Sequence, residues 1–316
     1  MPRIPGTDLD VFGLCLGSNV FGWTADAADS FAVLDDYVEA GGNFIDTADS
    51  YSAFAPGNSG GESETIIGRW LGERRNRDEL TIATKVGKLP GLEGTGRATV
   101  RAAIEGSLRR LGTDRVDLYY AHVDDETTPL EETLGTFDEL VRAGLVRYVA
   151  ASNFSAPRLT EALAVSDRDG LARYVALQPH YSLVEREEYE GALADVCVRA
   201  GLACFPYWAL ARGFLTGKYR PGGAGVDSPR ATAASRYLDE RGIAVLTALD
   251  EIATAHEQTV AAVALAWLRA RPGVTAPIAS ARNVSQLAGI LPATTLELGA
   301  DEVARLTAAS AAPSVT

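Results

Sequence analysis

Short apolar runs alternate with amphipathic stretches from one end of the chain to the other. Runs rich in β-branched and apolar side chains stand at 14–16, 43–47, 80–85, 116–122, 146–152, 174–178, 202–207 and 274–280. Continuous runs of this length suit strands buried on both faces, as in parallel sheets. Between them, helical periodicity predicts helices over 30–40, 62–74, 99–111, 130–143, 157–165, 186–200, 245–256, 260–269 and 284–291. Several of these stop at glycine, at Gly41-Gly42, Gly112, Gly144 and Gly201. Glycine accepts the left-handed conformation that ends a helix. Eight strand–helix units follow one another without a linker or a break in composition. That order favours an α/β fold of one kind, a single (β/α)8 TIM barrel occupying 1–316 as one domain, over an open sheet with a second domain. Arg3-Ile4-Pro5 and Leu9-Asp10-Val11 around Gly6-Thr7 read as an N-terminal hairpin plugging the barrel base. A stretch at 301–308 reads as an extra C-terminal helix.

One segment breaks the rhythm. Residues 209–236 hold Gly213, Gly217, Gly222, Gly223, Gly225 and two prolines. A loop that long in a compact domain is usually functional, and this one leaves a strand C-terminus, where barrels put their active sites.

Composition narrows the function. Twenty-nine Lys and Arg against 42 Asp and Glu give a formal charge of −13, with 47% hydrophobic residues. This is a globular balance, and its acidity argues against a nucleic-acid backbone or an anionic membrane as the main partner. A small anionic ligand responds to local charge and is not excluded. Only three of the basic residues are lysines, Lys85, Lys88 and Lys218, so any lysine that has to be one is among them. Cys15, Cys197 and Cys204 are odd in number and lack metal-like spacing, which suggests buried thiols in a reducing compartment. No basic and apolar leader opens the chain, and the apolar run 260–268 is too short to span a bilayer. The cytoplasm is the expected location.

The polar residues at predicted strand ends are Asp46, Lys85, His122, Ser152, Asn153 and Gln178. In a barrel all of them point to one mouth, and Tyr51 lies on the loop five residues past Asp46. A phenol with a pKa of about 10 is a poor proton donor near neutrality. A nearby ammonium stabilises the phenolate, a carboxylate keeps that ammonium charged, and an imidazole can orient a carbonyl. Singly, each residue has an ordinary explanation: a turn Asp, a packing Tyr, a solvated Lys, a core His. Four at aligned strand ends do not. His180 and His256 read as structural, and the run Glu185-Arg186-Glu187-Glu188 as a solvated helix start. Trp23, Phe54 and Trp208 read either as core packing or as the wall of a substrate pocket.

These residues stand in motifs that resemble the aldo-keto reductase family. Phe44-Ile45-Asp46-Thr47-Ala48-Asp49-Ser50-Tyr51, Gly61-Glu62-Ser63-Glu64 with Ile67-Gly68, and Ala83-Thr84-Lys85-Val86-Gly87 open the series. Asp117-Leu118-Tyr119-Tyr120-Ala121-His122 with Pro129-Leu130-Glu131-Glu132-Thr133-Leu134 and Gly144-Leu145-Val146-Arg147 continue it. Ser152-Asn153-Phe154, Gln178 with Tyr181, and Gly213-Phe214-Leu215-Thr216-Gly217-Lys218-Tyr219 complete it in order. The resemblance covers nearly the whole chain.

It implies a barrel enzyme that uses NADP(H) to reduce an aldehyde or ketone reversibly and without metal. The family's catalytic tetrad falls on Asp46, Tyr51, Lys85 and His122, with Tyr51 as general acid. By the same carry-over Ser152, Asn153 and Gln178 hold the nicotinamide carboxamide, and Tyr207 stacks on the ring. The segment 209–218, with Trp208, Leu210, Arg212, Gly213, Leu215, Gly217 and Lys218, covers the pyrophosphate. Ser280, Arg282 and Gln286 serve the adenosine end, Arg282 meeting the 2′-phosphate from the start of the last barrel helix. Two departures stand out: Trp208 where relatives often have Ser, and Gly289-Ile290 where they often have Glu-Asn. Two other readings remain at this stage. One is a slow or non-catalytic NADPH-binding redox-sensing subunit on the same barrel. The other is an aldolase forming a Schiff base on Lys85. The pocket contributors that can be named are mostly apolar or aromatic, which favours a bulky or hydrophobic carbonyl substrate over a small sugar.

Overall fold

The strands carry the architecture. In the computed structural model, which describes residues 1–222 and 227–311, ten form: β1 Cys15–Gly17, β2 Phe44–Asp46, β3 Thr81–Val86, β4 Lys88–Leu89, β5 Leu92–Glu93, β6 Val116–Ala121, β7 Val146–Ser152, β8 Tyr174–Gln178, β9 Ala203–Cys204 and β10 Ile278–Ala279. Eight pair in parallel in the order β10-β1-β2-β3-β6-β7-β8-β9, while β4 and β5 make a separate hairpin. The sheet closes on itself through a parallel bridge between Cys204 and Val274. Thr275 donates its backbone N–H to the Cys204 carbonyl (2.9 Å) and Ile278 to that of Pro206 (2.9 Å). This is the expected (β/α)8 barrel. Gly223 and Gly225 of the long loop lie outside the described residues.

Two of the strands are much shorter than their apolar runs. The reason is proline: Pro206 and Pro277 have no N–H to give to a ladder, so regular pairing stops beside each of them.

The helices around the barrel are α1 Ala27–Glu39, α2 Glu62–Arg74, α3 Arg97–Leu111, α4 Leu130–Arg142, α5 Ala156–Asp169, α6 Ala192–Ala200, α7 Ala231–Ser235, α8 Glu240–Ala255, α9 Val260–Arg269, α10 Val284–Ile290 and α11 Ala300–Ala309. Asp26, Ser155, Asp239, Thr259 and Asn283 cap their helices through side-chain oxygens. Gly112 and Gly201 close α3 and α6 in the left-handed region, at φ 62° and 65°. The expected helix over 186–200 begins only at Ala192. Gly191, at φ 91°, interrupts it; Glu185 instead bridges back to Ser182, and Glu187 and Glu188 lie in a turn. There Arg186 holds Glu190 at 2.7 Å and reaches the Thr307 carbonyl (2.8 Å) and Ser310 Oγ (2.9 Å) on the last helix.

Two cores result. Between sheet and helices lies a large apolar shell that includes Trp70, Phe137 and Trp267. Inside the barrel, Phe44, Leu118, Tyr120 and Phe205 interdigitate with Ala83, Ala150, Ala176, Ala203 and Ala276. Small residues opposite large ones let the barrel fill without voids. The N-terminal hairpin adds Ile4, Leu9 and Val11 to this inner core, and Arg3 pairs with Asp10 outside it at 2.8 Å. The base is thereby sealed and the C-terminal rim is the open end.

Gly68 on α2 lies against the end of α3, where a Cβ would collide with the Arg110 carbonyl oxygen. Gly68→Ala is therefore expected to destabilise the fold by about 2–3 kcal/mol. Denaturant unfolding of the two proteins checks this; an unchanged midpoint would refute the close approach.

Candidate active site

At the open rim the ends of β2, β3 and β8 bring together a buried polar cluster. Lys85 Nζ donates to Asp46 Oδ2 (2.6 Å), to the Thr47 carbonyl (2.7 Å) and to Tyr51 OH (2.7 Å). Tyr51 OH in turn donates to Asp46 Oδ2 (3.0 Å), and Gln178 Nε2 to Asp46 Oδ1 (2.9 Å). The Lys85 and Asp46 side chains are 0% and 1% exposed. Charges taken this far from water persist only when paired and hydrogen-bonded, and each of these is. His122 follows β6, its ring centroid 6.1 Å from that of Tyr51. Burial, then Lys85 and Lys88, push its pKa well below the usual histidine value, so the imidazole is neutral.

The expected electrostatics of Tyr51 need one correction. Lys85 was to lower the phenol's pKa. Instead burial raises it well above the ordinary value, and the Asp46 carboxylate raises it further. Lys85 is lowered by burial, with Asp46 opposing that shift. The resting phenol is therefore firmly protonated, which is the form a proton donor needs.

Tyr51, Asp46 and His122 face a cavity of about 590 Å³. Behind them, Ser152 Oγ donates to the Gln178 carbonyl (2.9 Å), and Asn153, in the left-handed region at φ 60°, donates to the His122 carbonyl (2.8 Å). Tyr207 OH donates to Asn153 Oδ1 (2.7 Å), which sets the Tyr207 ring in the wall, stacked on His180 with centroids 5.4 Å apart. Farther along, Trp208, Leu210, Arg212, Gly213 and Lys218 form one side, with Ser280, Arg282 and Gln286 opposite. Arg212 lies 3.3 Å over the Trp208 ring, and its Nε is buried without a partner. Arg212, Lys218, Arg230 and Arg282 all line the cavity, and none pairs with a carboxylate among the described residues. Burial and neighbouring cations lower the pKa of Lys218 and of Arg230. Unpaired mutually repelling cations along a concave wall fit a polyanionic group such as the phosphates of a dinucleotide.

The profile of the Aldo/keto reductase family matches residues 13–311. The chain belongs to that family. Among family members it is 33% identical to Protein tas of Escherichia coli (strain K12), over 97% of this chain and 96% of that protein. It is 30% identical to norsolorinic acid reductase B of Aspergillus parasiticus, over 95% and 81%. It is 32% identical to a probable voltage-gated potassium channel subunit beta of Oryza sativa subsp. japonica, over 84% and 82%. Among the described residues no helix is long and apolar enough to cross a membrane.

Most of the residues picked out by the aldo/keto reductase motifs converge on the cavity. Three do not line it: Lys85 is fully buried beneath Tyr51, Leu215 is fully buried in the outer core, and Gly217 ends a 3-10 turn whose Cβ position would meet Arg220 and Val260. Trp23 and Phe54 do line it, edge to face at 4.8 Å. Asn19, Lys88, Arg230 and Thr259 line it unforeseen. For Lys88 the scarcity of lysine was a usable signal. For Arg230 there was only its place in the long loop. Gly289 and Ile290 also reach the wall, so the positions that depart from Glu-Asn contribute no charged side chain there.

Behind the tetrad, Asp49 is fully buried with neither carboxylate oxygen hydrogen-bonded. Burial first, then Glu64, push its pKa up to about 7, with Arg110 opposing. A carboxyl raised in the folded state stabilises most below its unfolded pKa, and that stability is lost as pH climbs to the folded one. The loss runs at ~1.4 kcal/mol per pH unit between about 4 and 7. Asp49→Asn should thus match the parent at pH 4 and exceed it by roughly 2–4 kcal/mol at pH 8. Urea titrations of both proteins across this range check it, and a constant gap would contradict it.

Proposed function

We propose that residues 1–316 act as one barrel domain that reduces an aldehyde or ketone to the alcohol at the expense of NADPH, with Tyr51 as general acid. The observation that carries this reading is the Tyr51 phenol, held at 2.7 Å from Lys85 and 3.0 Å from Asp46 at the edge of the cavity. NADPH, when bound, supplies the hydride. The protein supplies placement and charge. Tyr51 gives its proton to the carbonyl oxygen as negative charge develops there, and Lys85 stabilises the phenolate left behind. Asp46 keeps Lys85 charged. His122, neutral and without a hydrogen bond from the described residues, is free to donate to the same oxygen and orient the carbonyl.

For the cofactor, Ser152, Asn153 and Gln178 are assigned to the carboxamide, and Tyr207 to the ring face. The segment from Trp208 to Lys218, with Arg230, is assigned to the pyrophosphate, and Ser280, Arg282 and Gln286 to the adenosine end. The preference for NADP(H) over NAD(H) rests on Arg282. Relatives named as reductases support the direction of the reaction. The substrate is a small carbonyl compound that meets an apolar wall built by Trp23, Phe54 and Trp208. A cytoplasmic location fits the three buried free thiols, Cys15, Cys197 and Cys204. A Schiff base on Lys85 is disfavoured, because its amine donates all three hydrogens to protein oxygens and offers no lone pair. The intact tetrad favours turnover over a purely sensing role.

Tyr51→Phe should lower kcat for NADPH-dependent carbonyl reduction by about 10²–10⁴-fold, with circular dichroism and NADPH binding preserved. A rate within a few-fold of the parent would remove the proposed acid. Arg282→Ala should weaken NADPH binding by about tenfold or more and leave NADH binding nearly unchanged. Fluorescence titration with both nucleotides reads the difference, and equal losses would remove the assignment of Arg282.

A further inference from the structure

The mechanism above uses two of the chain's three lysines. Lys85 lies under Tyr51, Lys218 lies at the phosphate end, and the third, Lys88, lines the same cavity. Two of the three lysines line the cavity, and Lys85 lies directly beneath its Tyr51.

Lys88 opens the β4–β5 hairpin, three residues beyond Lys85. Gly87, at φ 116°, turns the chain there, and its carbonyl accepts the Gly94 N–H (3.1 Å). The far leg is tied down where Thr95 donates its N–H to Asp125 Oδ2 (2.8 Å). The hairpin therefore holds Lys88 at the rim. Nearby carboxylates are engaged elsewhere: Glu93, its cross-strand neighbour, accepts the Gly91 N–H (3.0 Å), and Asp125 accepts from Thr95, Thr127 and Thr128. The Lys88 side chain, on an exposed residue, forms no ion pair or hydrogen bond among the described residues.

Its charge belongs to the catalytic end. Lys88 acts on His122, and Lys85 acts on Lys88, whereas Lys218 and Arg282 act on each other at the phosphate end and Arg230, which acts on Lys218, also lies 5.2 Å over the Trp23 ring. The cavity thus carries Lys88 beside His122 in addition to the cations assigned to the phosphates. An apolar platform shares the wall with Lys88: Trp23 and Phe54 edge to face, with Phe54 63% exposed at the mouth.

We propose that Lys88 is a substrate-specificity residue that receives a carboxylate. The favoured substrates are then acidic carbonyl compounds, an aldehyde or ketone on an aromatic or apolar body with a carboxylate remote from the reacting carbon. The inference rests on the reduction proposed above. With the carbonyl oxygen at Tyr51 and His122, the body covers Trp23 and Phe54 and the carboxylate meets the ammonium. Lysine suits this role because it is a point charge on a flexible stem that tolerates several positions of the anion. A local cation is also needed on general grounds, since a protein of formal charge −13 otherwise repels an anionic substrate.

The test compares 3- and 4-carboxybenzaldehyde with their methyl esters as substrates of the NADPH-loaded enzyme, its Lys88→Met variant and its Lys88→Arg variant. The parent should prefer the acids. Lys88→Met should lower kcat/KM for the acids about tenfold and leave the esters within about twofold, and Lys88→Arg should retain the preference. Equal change for acid and ester, or no change for either, overturns the assignment. Benzoate binding to the NADP⁺-saturated proteins, followed by calorimetry, gives a second reading that needs no turnover. Weaker binding to Lys88→Met supports the proposal, and equal binding overturns it. If neither aldehyde is reduced, the reductase reading falls while the benzoate result still decides the anion site.

Discussion

The rim of this barrel is organised by one buried ion pair, Lys85 with Asp46. Neither charge could sit there alone, because stripping a carboxylate or ammonium of water costs several kcal/mol unless its hydrogen bonds are replaced. The replacement is complete on both sides. Lysine hydrogens go to Asp46, Thr47 and Tyr51, and aspartate oxygens take Tyr51 and Gln178. The pair thereby fixes the phenol, anchors the glutamine and ties three strand ends into one rigid unit. Its geometry is set by β2 and β3, whose parallel register places Asp46 beside Ala83 and leaves Lys85 one step further toward the rim on its face.

Charge is distributed unevenly over the molecule. The protein is strongly acidic as a whole, and many of its arginines are neutralised locally, as Arg158 is by Asp124 and Arg220 by Asp250. The cavity is the exception, for Lys88, Arg212, Lys218, Arg230 and Arg282 pair with no carboxylate among the described residues. A site that leaves such charges unmatched is less comfortable empty than filled, and an anionic occupant gains what the fold gave up. Aromatic rings make the arrangement tolerable meanwhile, with Arg212 lying over Trp208 and Arg230 over Trp23.

Much of this was legible in the order of the residues. Buried parallel strands are continuous apolar runs, and polar residues at their C-terminal ends have only one place to go in a closed barrel. That is why the sequence order alone puts Asp46, Lys85, His122 and Gln178 on one rim. What escaped depended on single residues or on depth. Pro206 and Pro277 cut two strands short inside apolar runs, and Gly191 delayed a helix whose pattern otherwise continued upstream. The balance on Tyr51 could not be foreseen, since it turns on how far the phenol is buried, which residue type does not encode. Arg230 arrives from a loop whose path has no period to read, and Leu215 sits in a functional motif yet turns into the core.

The bond from Gln178 to Asp46 joins residues 132 positions apart in the chain. Closing a loop of that length is entropically unfavourable until the intervening strands have already brought its ends together. The polar cluster at the rim therefore cannot be assembled piecemeal. A nascent chain that stops before β8 lacks the amide that orients the carboxylate, so chemical competence arrives late, as the signature of a finished ring.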